Sequence, residues 1–323
     1  MSTRRLTLSL GRAVAVLAVC LCVLGLALAA ASTVWPALET FDHLTLHLLG
    51  GLGASCLAAA SRRPLSTLTS GCFAVLAAPA LYAAAHGPWA AASARAPSLT
   101  ILSHNILFVN EDDAGLERSI RRADADIVVL TEYDAGRSGL LARLSALYPH
   151  QIDCAAPLMD KFNAACDVAV LSKTPPLNAR AGVEDGVRLV AAEFKHRGRG
   201  FTLFATHLPP PLSDLMSLWR RRPPRLRHGE AMARLSRIVG AAQGPVIVAG
   251  DFNATPWSRT ARAFQAGAGV RLLGGWAPTW PATFAAPQLP IDHFFASPQI
   301  AGRVSLAPAA GSDHYALLGR FDL

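Results

Sequence analysis

The sequence predicts an α/β domain in which helices cover a pair of mixed sheets, with a membrane segment in front of it. Three observations predict this. Beyond residue 97, strand-like runs adjoin other strand-like runs as well as helical ones, which suits mixed sheets under helices. Acidic, amide and imidazole side chains gather where those runs begin or end. Before residue 90 the chain is apolar and carries few charges.

The apolar part comes first. Ala13–Val34 is a charge-free run long enough to cross a bilayer, Leu44–Ala60 is shorter and interrupted by His47, and Pro64–Ala85 is again long enough. Residues 1–89 are therefore expected to form about three transmembrane helices. The competing reading of the first run is a cleaved signal peptide, with Arg4, Arg5 and Arg12 as its basic region and Ala27-Leu28-Ala29 as a small-x-small site. The apolar stretch is longer than such peptides use, and two more follow it. Basic flanks stay in the cytoplasm. Arg4, Arg5 and Arg12 precede the first helix, and Arg62 and Arg63 separate the second from the third. Three crossings then put the remainder outside an inner membrane; two would leave it in the cytoplasm.

The net charge of +8 is unevenly spread. Without Arg220, Arg221, Arg222, Arg225 and Arg227 the part beyond residue 95 is near neutral, which argues against a broad basic face and for one local patch. Cys154 and Cys166 are the only cysteines beyond the apolar blocks. An oxidising compartment permits a disulfide between them; two free buried thiols are the alternative. No cysteine or histidine spacing suggests a zinc site.

Residues 90–97 read as a linker, and 98–323 as one soluble domain. Its expected elements are strands at Ser98–Leu107 and Asp126–Thr131, each followed by a helix, Ala114–Ala123 and Arg137–Leu147. Strands at Asp167–Ser172, Val187–Phe194 and Phe201–Thr206 come next, the last two joined across a glycine-containing turn. An amphipathic helix at His228–Ala242 leads to a short buried strand at Pro245–Ala249. Ile291–Ala296 and Tyr315–Phe321 close the domain.

Where these strands end carries the chemistry. Successive strands end at Asn105, Glu132, His207 and Asp251-Phe252-Asn253, while the two closing strands begin at Asp292-His293 and Asp313-His314. Closing strands that run antiparallel to the earlier ones bring all of these to one edge. Hard cations such as Mg²⁺ take carboxylate and amide oxygens, which suits Glu132 with Asn105. A histidine oriented by a carboxylate can activate water, which suits His314 with Asp292. Asp251 and Asn253 can face one scissile phosphate, and His207 can donate to its oxygens. Singly, each is more simply read as turn chemistry or a solvated acid; the constellation across separate junctions is the signal.

These junctions resemble the endonuclease/exonuclease/phosphatase superfamily from about Leu99 to Leu323. The motifs are Ser-His-Asn at 103–105, Leu-Thr-Glu at 130–132, Ala-Val-Leu-Ser at 169–172, Thr-His-Leu at 206–208, Gly-Asp-Phe-Asn-Ala-Thr-Pro at 250–256, Ile-Asp-His at 291–293 and Ser-Asp-His at 312–314. The resemblance implies a four-layer α/β sandwich of two mixed sheets and a divalent-metal-dependent phosphoester hydrolase. It implies metal binding by Glu132 with Asn105 and Asp313, with Mg²⁺ as the ion and Mn²⁺ as a substitute. It implies a His314–Asp292 dyad that activates water, a role some family mechanisms give to Asp251, and phosphate contacts from Asn253 and His207. The chain departs from the pattern at Cys166-Asp167, where many relatives have glycine nearby; the extra carboxylate of Asp167 could touch the site or face solvent, and solvent is the favoured expectation because strand-edge aspartates are common in turns.

The superfamily does not fix the substrate. Arg220, Arg221 and Arg222, in a loop that starts at the active-site edge, are candidates to grip an anionic headgroup or diphosphate; a merely solvated basic loop is the bland reading. A membrane tether favours a lipid-linked phosphate or diphosphate. The alternative is an extracytoplasmic nuclease, and a third reading is a degenerate binding or sensor module. Nothing in the sequence points to a protein partner.

Overall fold

A computed structural model describes residues 3–71, 74, 99–155, 166–220, 226–275, 277–283 and 288–323. The strands are β1 (Leu99–Asn105), β2 (Ile127–Thr131), β3 (His150–Asp153), β4 (Val168–Ser172), β5 (Asn178–Glu184), β6 (Val187–His196), β7 (Arg199–His207), β8 (Val246–Asp251), β9 (Arg271–Leu273), β10 (Asp292–Ala296), β11 (Ala301–Ala307) and β12 (Ala316–Asp322). The helices are α1 (Thr3–Ala31), α2 (Glu39–His43), α3 (Thr45–Ala60), α4 (Asp113–Ala123), α5 (Ser138–Leu144), α6 (Pro211–Arg220), α7 (His228–Gly240) and α8 (Arg259–Ala268).

The strands form two six-stranded sheets, β11-β12-β1-β2-β4-β3 and β5-β6-β7-β8-β10-β9. Side chains alternate between faces along each strand. Ile101, Val129 and Val170 of the first sheet meet Val190, Leu203, Ile247 and Phe294 of the second in a buried central layer. Their neighbours Leu102, Val128 and Leu171 turn outward under α4 and α5. Phe204, Val248 and Phe295 do the same under α7 and α8. The result is the expected four-layer α/β sandwich of two mixed sheets.

Each strand and helix expected beyond residue 97 is present, with ends shifted by a few residues. Six elements went unread: β3, β5, β9, β11, α6 and α8, and α6 stands where the sequence was read as a loop carrying Arg220. β5 is largely exposed, so its sequence Asn-Ala-Arg-Ala-Gly-Val-Glu lacks the apolar alternation that marks a strand. α8 is short, but it is capped as helices are: the Ser258 hydroxyl accepts from the Ala261 N–H, and Gly269 closes it in a left-handed conformation.

The chain divides into two compact units, Met1–Tyr82 with Pro211–Pro224, and Ala83–Pro210 with Arg225–Leu323. The insertion 211–224, read in the sequence as part of the soluble domain, thus groups with the apolar unit. In that unit α1 contains one apolar stretch, Leu8–Ala31, long enough to cross a membrane. At 16 residues α3 is too short alone, and it passes only together with Pro36–His43, from which it bends by 58°. α3 returns antiparallel along α1, with Leu48 against Gly25 and Pro64 against Gly11. Residues 64–71 are helical and turn back again, so that Gly71 meets Ala54. The rest of the third expected span lies outside the described residues, as does the linker 90–97. α6 packs on the single-turn helix Pro36–Leu38 and on α2.

Candidate active site

Register brings the predicted groups to one edge. β10 runs antiparallel to β8 with Asp292 opposite Asp251, and β8 runs parallel to β7 with Asp251 opposite His207. In the other sheet Asn105 lies opposite Thr131, which lies opposite Val168, so Glu132 and Asp167 flank the same edge. β12 is antiparallel to β1, and the Ser312 hydroxyl donates to the Asn105 carbonyl at 2.6 Å, tying the Ser-Asp-His turn to the end of β1. Gly250 is required where β8 approaches β7: a Cβ there would meet the Thr206 carbonyl oxygen at 1.9 Å.

Asp251 is the centre of the arrangement, buried at 1% exposure. Its Oδ2 accepts from the Asn105 amide at 2.9 Å and lies 3.9 Å from Nε2 of both His207 and His314. Its Oδ1 accepts from the Asn253 N–H at 2.8 Å. The His314 Nδ1–H donates to Asp292 at 2.8 Å, the dyad expected from the sequence. The Asn105 amide also donates to Glu132 Oε1 at 3.1 Å, and the Phe108 N–H donates to Oε2 at 3.1 Å. The Asn105 oxygen is turned to the Leu107 N–H at 3.0 Å. Asn105 therefore bridges two carboxylates with its nitrogen, while its oxygen, after accepting from Leu107, keeps one lone pair of the two. Asn253 turns its amide nitrogen to the Leu208 carbonyl at 2.9 Å. Glu132 and Asn253 both hold positive φ, 55° and 51°, a conformation that costs energy outside glycine and clusters at functional sites.

Asp167 does not face solvent. It is 3% exposed, and its Oδ2 accepts from His207 Nδ1 at 2.8 Å and from Arg188 at 3.1 Å. The expectation failed because turn propensity is local, whereas this aspartate is buried by β6 and β7 of the facing sheet. The second reading of Asp167, contact with the site, is the one the structure supports, and its partner Arg188 was missed. The register that sets Arg188 opposite His207 was the only available signal, and it appears only once β6 and β7 are paired. Trp280 was missed too: its Nε1–H donates to Asp313 Oδ2 at 2.9 Å, fixing one oxygen of that carboxylate. Arg220 ends α6, and Arg221 and Arg222 lie outside the described residues.

The charges follow from these contacts. Burial works against a proton on His314, but Asp292 outweighs it and pushes the ring up to about 10. Burial likewise opposes charge on His207, and Asp167 pushes it up to about 9. For Asp292 burial works upward, and His314 holds it below the usual carboxylate range. Burial and the neighbouring Asp292 push Asp251 up to about 6, against the pull of both imidazoliums and Asn105. His104 is lowered by burial to about 4; neutral, it donates from Nε2 to the His314 carbonyl. At neutral pH the edge is thus two imidazoliums aimed at one carboxylate, with a second carboxylate, Glu132, beside it.

Such an edge can hold an anion between two cationic donors and accept a proton at Asp251. A profile of the Endonuclease/Exonuclease/phosphatase family matches residues 102–314. Among curated proteins, no sequence matches the chain. Several solved structures share its fold. Humanized D. rerio TDP2 carrying 14 mutations is 17% identical, with 70% of this chain and 99% of that one covered at a TM-score of 0.54. A double mutant of Staphylococcus aureus beta toxin with bound magnesium ions is 17% identical, covering 69% and 99% at 0.51. The human Nocturnin catalytic domain with bound sulfate is 19% identical, covering 71% and 95% at 0.50.

Proposed function

The chain belongs to the endonuclease/exonuclease/phosphatase family, and from that premise we propose a membrane-anchored, divalent-metal-dependent hydrolase of lipid-linked phosphate or diphosphate esters. The observation that carries hydrolysis is the pair of imidazoles meeting on Asp251 beside Glu132. The observation that favours a lipid substrate is the apolar α1, which would keep the site beside headgroups at high effective concentration.

The donor set fits a hard cation. Glu132 and Asp313 supply carboxylate oxygens; Glu132 accepts from the Asn105 amide and the Phe108 N–H, Asp313 from Trp280, and every one of these oxygens keeps a further lone pair. Asp251, Asp292 and His314 also bring three donor atoms within 4.8 Å of one another. His314 is already engaged with Asp292 at 2.8 Å, so we read those three as a proton relay and assign the cation to Glu132 and Asp313. Bound there, Mg²⁺, or Mn²⁺ in its place, would neutralise phosphate charge and acidify water. His207 and His314 hold the phosphate oxygens. His314 is engaged with Asp292 through Nδ1 and turns Nε2 to Asp251 at 3.9 Å, so we assign Asp251 to take the proton from attacking water, with the His314–Asp292 pair balancing its charge. Asn253 is fixed by Leu208 to present its amide oxygen. The arginines Arg220, Arg221 and Arg222 are proposed to grip a second anionic group of the substrate.

Two observations support an extracytoplasmic site. Arg12, Arg62 and Arg63 come together at one end of the apolar unit, because Pro64 lies against Gly11. Cys154 and Cys166 form a disulfide with Cα atoms 5.2 Å apart, a bond that oxidising compartments maintain.

The test is a divalent-metal-supplemented screen of the purified full chain against polyprenyl diphosphate, phospholipid, sphingomyelin and DNA. A lipid phosphoester should be cleaved, EDTA should abolish the activity, and Mg²⁺ should restore it. Full activity in EDTA would refute the metal role. Cleavage of DNA with every lipid untouched would turn the reading to the nuclease.

A further inference from the structure

α6 has no part in the chemistry, yet it begins four residues after His207. It belongs to the apolar unit, packed on the single-turn helix Pro36–Leu38 and on α2. Those two elements follow directly on the C-terminal end of α1, so α6 lies where that helix leaves its apolar stretch. The surroundings are those of a membrane-spanning helix and its boundary. Leu17, Leu21 and Leu24 are exposed along the body of α1, and Val34 and Trp35 are exposed past its end, just before Pro36. Tryptophan at the end of an apolar helix is typical of the headgroup region.

α6 is two-sided. Asp214 is buried, while Leu212 and Met216, one turn apart on the same face, are 49% and 40% exposed. Exposed apolar side chains at i and i+4, on a helix already docked beside a membrane-length helix, have one partner continuous with that surface: lipid. We infer that the Leu212–Met216 face of α6 lies in the outer headgroup region, as an interfacial helix that ties the segment leaving the His207 strand to the bilayer surface. Its ligand class is a bilayer presenting phosphoester headgroups. The inference rests on the membrane-anchored reading above and adds the surface through which the enzyme engages its substrate.

The experiment uses the full chain in nanodiscs at one chain per disc. Met216→Cys, with Cys20, Cys22, Cys56 and Cys72 replaced by serine, carries an environment-sensitive fluorophore. Lipids bearing a nitroxide near the headgroup should quench it strongly. A water-like emission that those lipids leave unchanged would overturn the inference, as would quenching that grows only with chain density, which marks contact with a second copy. A second arm compares Leu212→Glu/Met216→Glu with the unmodified chain. Turnover of a vesicle-borne lipid phosphoester should fall about tenfold from losing two aliphatic contacts, with bis(4-nitrophenyl) phosphate hydrolysis unchanged. Equal losses on both substrates would mark α6 as a folding element and sink the docking role. Strong quenching in a chain that cleaves no lipid phosphoester would uphold the interfacial helix and refute the lipid-substrate reading.

Discussion

The two histidine–aspartate pairs take their parts from opposite sheets. His314 sits on the turn before β12 and finds Asp292 at the start of β10; His207 ends β7 and finds Asp167 just before β4. Each pair is closed at 2.8 Å, and each turns its Nε2 to the same oxygen of Asp251 at 3.9 Å. They differ in what else the acid does. Asp292 also receives hydrogen bonding from Thr279, a neutral partner, so its charge serves His314. Asp167 divides its Oδ2 between His207 and the cationic Arg188. The rings accordingly reach about 10 and about 9. The difference teaches that one pair is a closed charge balance for Asp251, while the other is open to adjustment from the rim, where Arg188 keeps 24% of its side chain exposed.

The comparison breaks most sharply at His314. His314→Ala removes the ring that balances Asp251 and should lower kcat by about 10²–10⁴-fold, the range of general acid–base contributions. Single-turnover rates on a lipid phosphoester measure it. A loss no larger than that of the milder change at Asp167 would mean that the two pairs are equivalent.

Asp167→Asn should cost less, about tenfold in kcat/KM, near the lower bound of ~1.5 kcal/mol for a charge-assisted hydrogen bond. Its sharper readout is pH. His207 is raised, so its charge is complete well below about 9 and is lost as pH rises through that value. Asparagine removes the main raising partner and leaves burial, which lowers the ring, so the alkaline limb should move toward acid. By linkage, the stability that this pair adds is fully present below the unfolded histidine value of ~6.5 and fades as pH rises through about 9. An alkaline limb that stays put in Asp167→Asn would show that Asp167 does not set the charge of His207.

This asymmetry also marks what was legible in the sequence. Asp292 and His314 stand at the starts of apolar runs, and a strand's polar end is visible in one dimension. So were Asn105, Glu132, His207 and Asp251, because the apolar runs of β1, β2, β7 and β8 give way to polar residues where each strand stops. Asp167 and Arg188 carry no such mark. Arg188 is the second residue of a strand, and it reaches Asp167 only because the two sheets stack face to face. Sheet-to-sheet contact depends on strand order and register, which side-chain pattern does not encode. The orientation of Asn105 was hidden for a related reason: its oxygen is claimed by Leu107, whose positive φ of 56° belongs to a turn that propensity does not announce. The membership of α6 in the apolar unit was likewise invisible, since its neighbours lie far away in the sequence.

Arg188 yields the smallest effect and the most discriminating sign. It competes with His207 for one oxygen of Asp167, so Arg188→Gln frees that oxygen for the ring. His207 should then hold its proton more tightly, and the alkaline limb should move upward, opposite to Asp167→Asn. The shift should be well under one pH unit, because a partly exposed ion pair is worth only about 0.2–1 kcal/mol and one unit corresponds to about 1.4 kcal/mol. KM should rise about two- to fivefold if the guanidinium also meets the substrate phosphate. Parallel pH profiles of the two variants and the unmodified chain decide the matter. Limbs displaced in opposite directions fit a shared carboxylate, whereas limbs displaced the same way would mean that Arg188 acts on His207 by some route other than Asp167.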